Sequence, residues 1–231
     1  SATAICLLAA FLSAVMYAPV AALPTKAKQA LVVDYSTGRT LLAKNANAPM
    51  HPASMTKMMT AFMVFDRLRS GTLSLDTKFR VSKRAWKKGG SRMFLKPNDA
   101  VSVEDLIRGI IVQSGNDASI VIAEGISGSE EDFAREMTEK AHEIGMKNST
   151  FKNASGWPDE EHLTTARDLA TLINTTIREF PDFYHYYAEA EFKYANINQR
   201  NRNPLLGLGI GADGLKTGHT EVAGYGLAAS A

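Results

Sequence analysis

Hydrophobic positions along the chain switch between two periods. Near the start, QALVVD (29–34) and TLLA (40–43) are short apolar runs separated by Ser36-Thr37-Gly38, a pattern that predicts a β-hairpin. From Ser54 the period lengthens. Met55, Met58, Met59, Phe62, Met63 and Phe65 recur at helical spacing until Ser70-Gly71, with Pro52 just ahead of the run. A helix this oily is expected to be largely buried. KKGGSRMFLKPND (87–99) then reads as a loop-rich stretch around a short strand-like core, Met93 to Leu95.

Ser102-Val-Glu-Asp105 resembles a capping box, with Asp where Glu or Gln is usual, ahead of Leu106, Ile107, Ile110 and Ile111. That helix should stop at Ser114-Gly115-Asn116, where DASIVIAEGI (117–126) begins another. Residues 129–144 are amphipathic through Phe133, Met137, Ala141 and Ile144, and Gly145 suits a C-cap. Thr165-Ala-Arg-Asp168 opens a further helix with Leu169, Leu172, Ile173 and Ile177 inward and Pro181 beyond its end. After Glu191 the pattern returns to strand and loop. Strands at both ends and helices between them predict an α+β fold: an antiparallel sheet from both chain ends, with a helical subdomain inserted. No repeat or low-complexity linker divides the chain.

Composition narrows the function classes. The chain has 231 residues, 45% hydrophobic and 22% charged, with a net charge of +2, which fits a folded globular domain. Its basic residues are dispersed apart from small clusters such as Lys83-Arg84-Ala85-Trp86-Lys87-Lys88, so no nucleic-acid footprint is expected. The first 25 residues carry no Lys, Arg, Asp or Glu, and Ala4 to Met16 is an apolar run followed by Val20-Ala21-Ala22. That reads as a signal peptide over residues 1–22, with a membrane anchor or a buried first helix as alternatives. Ser1 is not a methionine and no basic residue precedes the run, so the start is expected to be truncated.

The only cysteine, Cys6, lies in this leader, leaving no thiol for a disulfide, a nucleophile or a Cys-ligated zinc in the expected mature chain. His51, His142, His162, His185 and His219 show no metal-ligand spacing. Neither a metal nor another cofactor is expected. Export without disulfides suits a bacterial periplasm or cell envelope.

Candidate chemistry begins at Ser54-Met-Thr-Lys57. Positions i and i+3 of one helix point the same way, so hydroxyl and amine can meet. A serine hydroxyl becomes a nucleophile once a base takes its proton, and a lysine can do so if burial and cationic neighbours depress its pKa. SxxK alone is weak, since a helix-capping serine with a snorkelling lysine would look the same. Two further triplets follow in order: Ser114-Gly115-Asn116 between helices and Lys216-Thr217-Gly218 in a strand-like segment.

With these motifs the chain resembles the serine-type D-alanyl-D-alanine carboxypeptidases, low-molecular-mass penicillin-binding proteins that carry SxxK, SxN and KTG. AKNANAPMHPASMTKMMTAFMVFD, IIVQSGNDASIVIAE, MKNSTFKNASG, TTARDLA and GLKTGHTEVAGY extend the resemblance over nearly the whole expected mature length. It implies a β-lactamase/transpeptidase-like catalytic domain over residues 23–231. Ser54 would attack the bond between the terminal D-alanines of a peptidoglycan stem peptide, and Lys57 would accept its proton. Ser114 would relay a proton to the leaving amine, and Asn116 would order Lys57 and the substrate amide. Lys216 and Thr217 would meet the terminal carboxylate, and Gly218 would let substrate approach the strand. The backbone N–H of His219 would complete an oxyanion hole with that of Ser54; its imidazole is not expected to be a base. β-Lactams would acylate the same serine.

A class A-like β-lactamase is the nearest alternative enzyme, but Glu160-Glu161-His162-Leu163 lacks the spacing of its deacylating glutamate segment. A cross-link-cleaving endopeptidase stays open. So does an inactive fragment that binds wall peptide or penicillin, because relatives of this type continue beyond the position of Ala231. The domain is therefore expected to be C-terminally truncated, lacking a last strand and helix, with membrane association only through that missing part. Stem-peptide preference and oligomeric state are not legible.

Overall fold

The computed structural model describes residues 25–231; the expected signal peptide, residues 1–22, lies outside the described residues. The core forms around α1 (Thr56–Arg69), whose residues Thr56 to Phe65 are all buried. A helix apolar on every side must be covered on every side. Accordingly α1 packs against α3 (Val103–Ile111), α4 (Asn116–Ser127), α5 (Glu130–Glu143) and α6 (Ala166–Glu179).

Three of these helices start with the same local device. Ser102, Ser129 and Thr165 accept from the backbone N–H of Asp105, Asp132 and Asp168 at 3.1, 3.0 and 3.0 Å. The capping box read from Ser102 and Asp105 is half right. Ser102 Oγ donates to the Asp105 carboxylate at 2.7 Å, so the shorter acid takes the cap's hydroxyl and not its backbone N–H. At α5, Gly145 takes φ +102° and Met146 N–H returns to Ala141 O at 2.8 Å, the C-cap that the glycine implied.

The strands form four antiparallel pairs: β1 (Ala30–Val33) with β2 (Thr40–Lys44), β3 (Lys78–Arg80) with β4 (Ala100–Ser102), β5 (Glu191–Tyr194) with β6 (Ile197–Arg200), and β7 (Gly214–Thr220) with β8 (Gly224–Ser230). The α+β class stands. The single sheet expected from both chain ends does not appear among the described residues, because the first hairpin and the last form separate ladders. Each rests on helices: β1 packs on α6, whereas β7 and β8 pack on the 3-10 turn Ala53–Met55.

The strand expected at Met93 to Leu95 is a loop. Its backbone donors are taken by a side chain instead, with Met93 N–H and Leu95 N–H donating to Asp117 Oδ1 and Oδ2 at 2.9 and 3.2 Å. Short elements escaped the periodicity reading: α2 (Lys83–Lys87), and α7 (Pro181–Tyr184) running into a 3-10 turn, His185–Ala188. The latter pair contributes Phe183, Tyr186 and Tyr187, whose rings gather around Phe65 at centroid distances of 5.4, 6.4 and 6.3 Å.

Candidate active site

Ser54 sits in the middle of the 3-10 turn that leads into α1, one element earlier than the α-helical start that its spacing predicts. Ala53 holds a left-handed φ of +48°. Across the chain Gly156, at φ +79°, passes so close that a Cβ there would fall 1.7 Å from Ala53 O. Only glycine permits that approach. Asn153 shapes the same loop, its Oδ1 accepting from the N–H groups of Ser155, Gly156 and Trp157 at 3.2, 2.8 and 2.9 Å.

The loop delivers the carbonyl of Ser155 to Lys57. Lys57 Nζ lies 3.1 Å from Ser54 Oγ, 2.8 Å from Asn116 Oδ1 and 2.7 Å from Ser155 O. Two of those partners are carbonyl oxygens, which can only accept, and together they use both N–H bonds of a neutral amine. The nitrogen lone pair is left for the Ser54 O–H. Burial first, then the charges of Lys216 and Arg202, hold the Lys57 pKa well below its ordinary value of 10.5. Three acceptors would also suit an ammonium; it is burial and the neighbouring cations that shift Lys57 toward the neutral form, the one a general base needs.

Asn116 is the first residue of α4, and its other amide atom is also fixed, Nδ2 donating to Gly89 O at 2.9 Å. Ser114 precedes it at the α3–α4 junction with φ +63°. Its hydroxyl is buried and has no hydrogen-bond partner among the described residues. A buried hydroxyl left without any partner costs about 1–3 kcal/mol.

From the far end of the chain, β7 brings Lys216, Thr217, Gly218 and His219. Lys216 is buried, its Nζ donating to Thr217 O at 3.0 Å and to no other atom among the described residues. Burial, with Arg202 nearby, pushes its pKa down to about 7. Gly218 also has a packing reason to be glycine. A Cβ there would meet Pro52 O at 2.9 Å and Ala53 Cβ at 3.3 Å, so its bareness lets the strand press on the nucleophile's own turn. The His219 imidazole is exposed and stacks at 4.1 Å on Tyr225, its partner across the β7–β8 ladder.

Ser54, Lys57 and Asn116 are thus directly bonded, Gly218 packs beside Ser54, and Lys216 acts on Lys57 through its charge. The imidazole of His219 stands apart. Sequence reasoning missed Ser155, whose contribution is a backbone carbonyl that any residue could supply. It also missed Asn153 and Gly156, which set that carbonyl, Asp117, which holds the 93–95 loop, and Arg202, whose Nη1 donates to Ser91 Oγ at 2.6 Å. For the loop, NASG was the available signal, an amide side chain followed by a glycine.

A family model described as D-alanyl-D-alanine carboxypeptidase, peptidase S11, matches residues 16–231. The chain belongs to this family. It is 41% identical over 208 residues to the D-alanyl-D-alanine carboxypeptidase DacC of Escherichia coli, covering 87% of this chain and 52% of that protein. Among solved structures, the D-alanyl-D-alanine carboxypeptidase DacD of Francisella tularensis superposes with a TM-score of 0.88 at 33% identity, over 92% of this chain and 64% of that one. Penicillin-binding protein D2 of Listeria monocytogenes, solved in an ampicillin-bound form, gives 0.77 at 31% identity, over 86% and 82%. The fold is that of the penicillin-binding proteins, and the chain spans about half the length of the curated relatives it matches.

Proposed function

We infer that this chain carries the catalytic centre of a serine D-Ala-D-Ala carboxypeptidase, acting on stem peptides in the bacterial cell envelope. The observation that supports this most is the three-way seat of Lys57, which satisfies a neutral amine and leaves its lone pair on Ser54. Ser54 Oγ attacks the carbonyl between the two terminal D-alanines as its proton passes to Lys57. The developing oxyanion is held by the N–H groups of Ser54 and His219, each donor of this type being worth about 3 kcal/mol. The orphan hydroxyl of Ser114 carries a proton toward the leaving D-alanine. Lys216 and Thr217 hold the substrate's terminal carboxylate, and water then releases the shortened peptide from Ser54.

A β-lactam presents a carbonyl and a carboxylate in similar relation, and would acylate Ser54; the Listeria relative's ampicillin complex supports that reading. β7 offers a strand edge with no partner among the described residues, a suitable rail for an extended peptide.

Fluorescent penicillin and a D-Ala-D-Ala-ended peptide test the proposal together. Labelling of the wild type, none of Ser54→Ala, and release of free D-alanine are expected. Rapid clearance of nitrocefin with the peptide left intact would favour the β-lactamase alternative. Absence of both labelling and D-alanine release would leave the binding-only alternative.

A further inference from the structure

Ser54 is flanked by two polar side chains that both bond to one residue far from its turn. Upstream, His51 Nδ1 donates to the carbonyl of His162 at 3.1 Å. Downstream, Thr56 Oγ1 lies 2.9 Å from His162 Nε2. Positions 51–56 hold no other polar side chain apart from Ser54 itself, whose hydroxyl faces Lys57. Residue 162 thus grips the nucleophile's segment on both sides, 106 residues beyond Thr56 in the chain.

The ring's own bonds settle which way the second contact runs. Lys152 N–H donates to His162 Nδ1 at 3.2 Å, and a backbone N–H can only donate. Nδ1 therefore carries the lone pair, and the neutral ring keeps its proton on Nε2, which donates to Thr56. A protonated ring would set one N–H against another at Lys152. Burial agrees with this, pushing the His162 pKa down to about 4. The residue is 2% exposed, and its ring stands perpendicular to Phe151 at a centroid distance of 5.5 Å.

The consequence reaches the seat of Lys57. Thr56 is buried between Ser54 and Lys57 in the chain, and a Cβ on Gly156 would lie 2.8 Å from its Oγ1. Gly156 follows Ser155, whose carbonyl accepts from Lys57 Nζ at 2.7 Å. Holding the Thr56 side chain therefore holds the surface on which that loop rests.

We propose that His162 is a positioning residue for acylation, keeping Ser54 in register with Lys57 through its Nε2–H bond to Thr56. It bonds to neither Ser54 nor Lys57, and the assignment rests on the carboxypeptidase reading above.

Stopped-flow acylation by fluorescent penicillin separates positioning from simple support of the fold. In His162→Leu the rate constant at saturating penicillin should fall about tenfold, since a small displacement of a nucleophile suffices for that, with the half-saturating concentration little changed. His162→Gln still has an N–H to give Thr56 and should recover most of the rate. Thr56→Val removes only the hydroxyl and should match His162→Leu. The double variant should be no slower than either single one, as expected of one shared bond. A residue that merely supports the fold would lower the fraction of protein that labels and leave the rate constant of that fraction at the wild-type value. That result overturns the proposal, as do additive losses in the double variant or a glutamine variant as slow as leucine. Should His162→Leu not fold, Thr56→Val decides, and a wild-type rate there overturns the assignment. If the wild type takes no label, it is the carboxypeptidase reading that fails. Amide hydrogen exchange at Met55 to Lys57 then judges the clamp alone: faster exchange in Thr56→Val upholds it, and an unchanged rate removes it.

Discussion

Two lysines are buried among the described residues and they are provisioned in opposite ways. Lys57, on α1, is 1% exposed and has three partners arriving from three separate parts of the chain. Lys216, on β7, is 3% exposed and among the described residues reaches only the carbonyl of its own neighbour, Thr217. Both pKa values are lowered, and burial is the first cause of each. The partners differ in consequence. Lys57 has a partner in each of three directions, a fully occupied seat. Lys216 has donors to spare and a pKa near working pH, so an anion placed beside it would raise its pKa and bind it as a cation.

The largest effect should follow from breaking the complete member of the pair. Lys57→Met keeps an unbranched apolar stem but removes the base, and acylation by fluorescent penicillin, followed by stopped flow, should slow about 10²- to 10⁴-fold. Acylation within threefold of wild type would show that the proton goes elsewhere. Lys216→Ala should act on binding, costing about 10- to 150-fold in kcat/KM for substrates with a free terminal carboxylate, the range of a charge-assisted hydrogen bond. An amide-capped peptide should lose far less, and equal losses on both would remove the carboxylate role.

Smaller and more diagnostic is the pH dependence. The pKa of Lys216 is lowered, so its charge is present below about 7 and lost as pH rises through that value. For carboxylate substrates kcat/KM, which reports the free enzyme, should therefore fall on the alkaline side of about 7. Arg202 is one of the causes of that lowering, so Arg202→Met should move the limb to higher pH. A limb that stays in place would assign it to another group. The stability consequence has the opposite sign, because between about 7 and 10.5 the unfolded chain binds the proton that folded Lys216 has lost. Stability contributed by this site rises with pH across that window.

Much of this architecture was legible in the chain itself. Methionine and phenylalanine at helical spacing fixed α1, serine or threonine three residues before aspartate marked the starts of α3 and α6, amphipathic spacing marked α5, and a glycine-containing turn marked the first hairpin. These are local signals, and each concerns residues within a turn or two of one another. The same locality explains the errors. Met93 to Leu95 looks like a strand because its apolar residues are short-range information, while the carboxylate that takes its N–H groups lies over twenty residues away in Asp117. The joined sheet failed for a related reason, since hydrophobic patterning shows that a strand has an inner face but not which element will cover it.

For the site, the sequence by itself supplied Ser54 and Lys57 at i and i+3 and named Ser114, Asn116 and Lys216 as their companions. Tertiary structure decided how Lys57 is seated for its proposed role as base. That required Ser155 O from a loop held by Asn153 and admitted by Gly156, the Asn116 amide pinned on Gly89, and a second lysine and Arg202 placed near enough for their charges to act. Backbone carbonyls carry no residue signature, and burial and through-space charge are properties of an assembled interior.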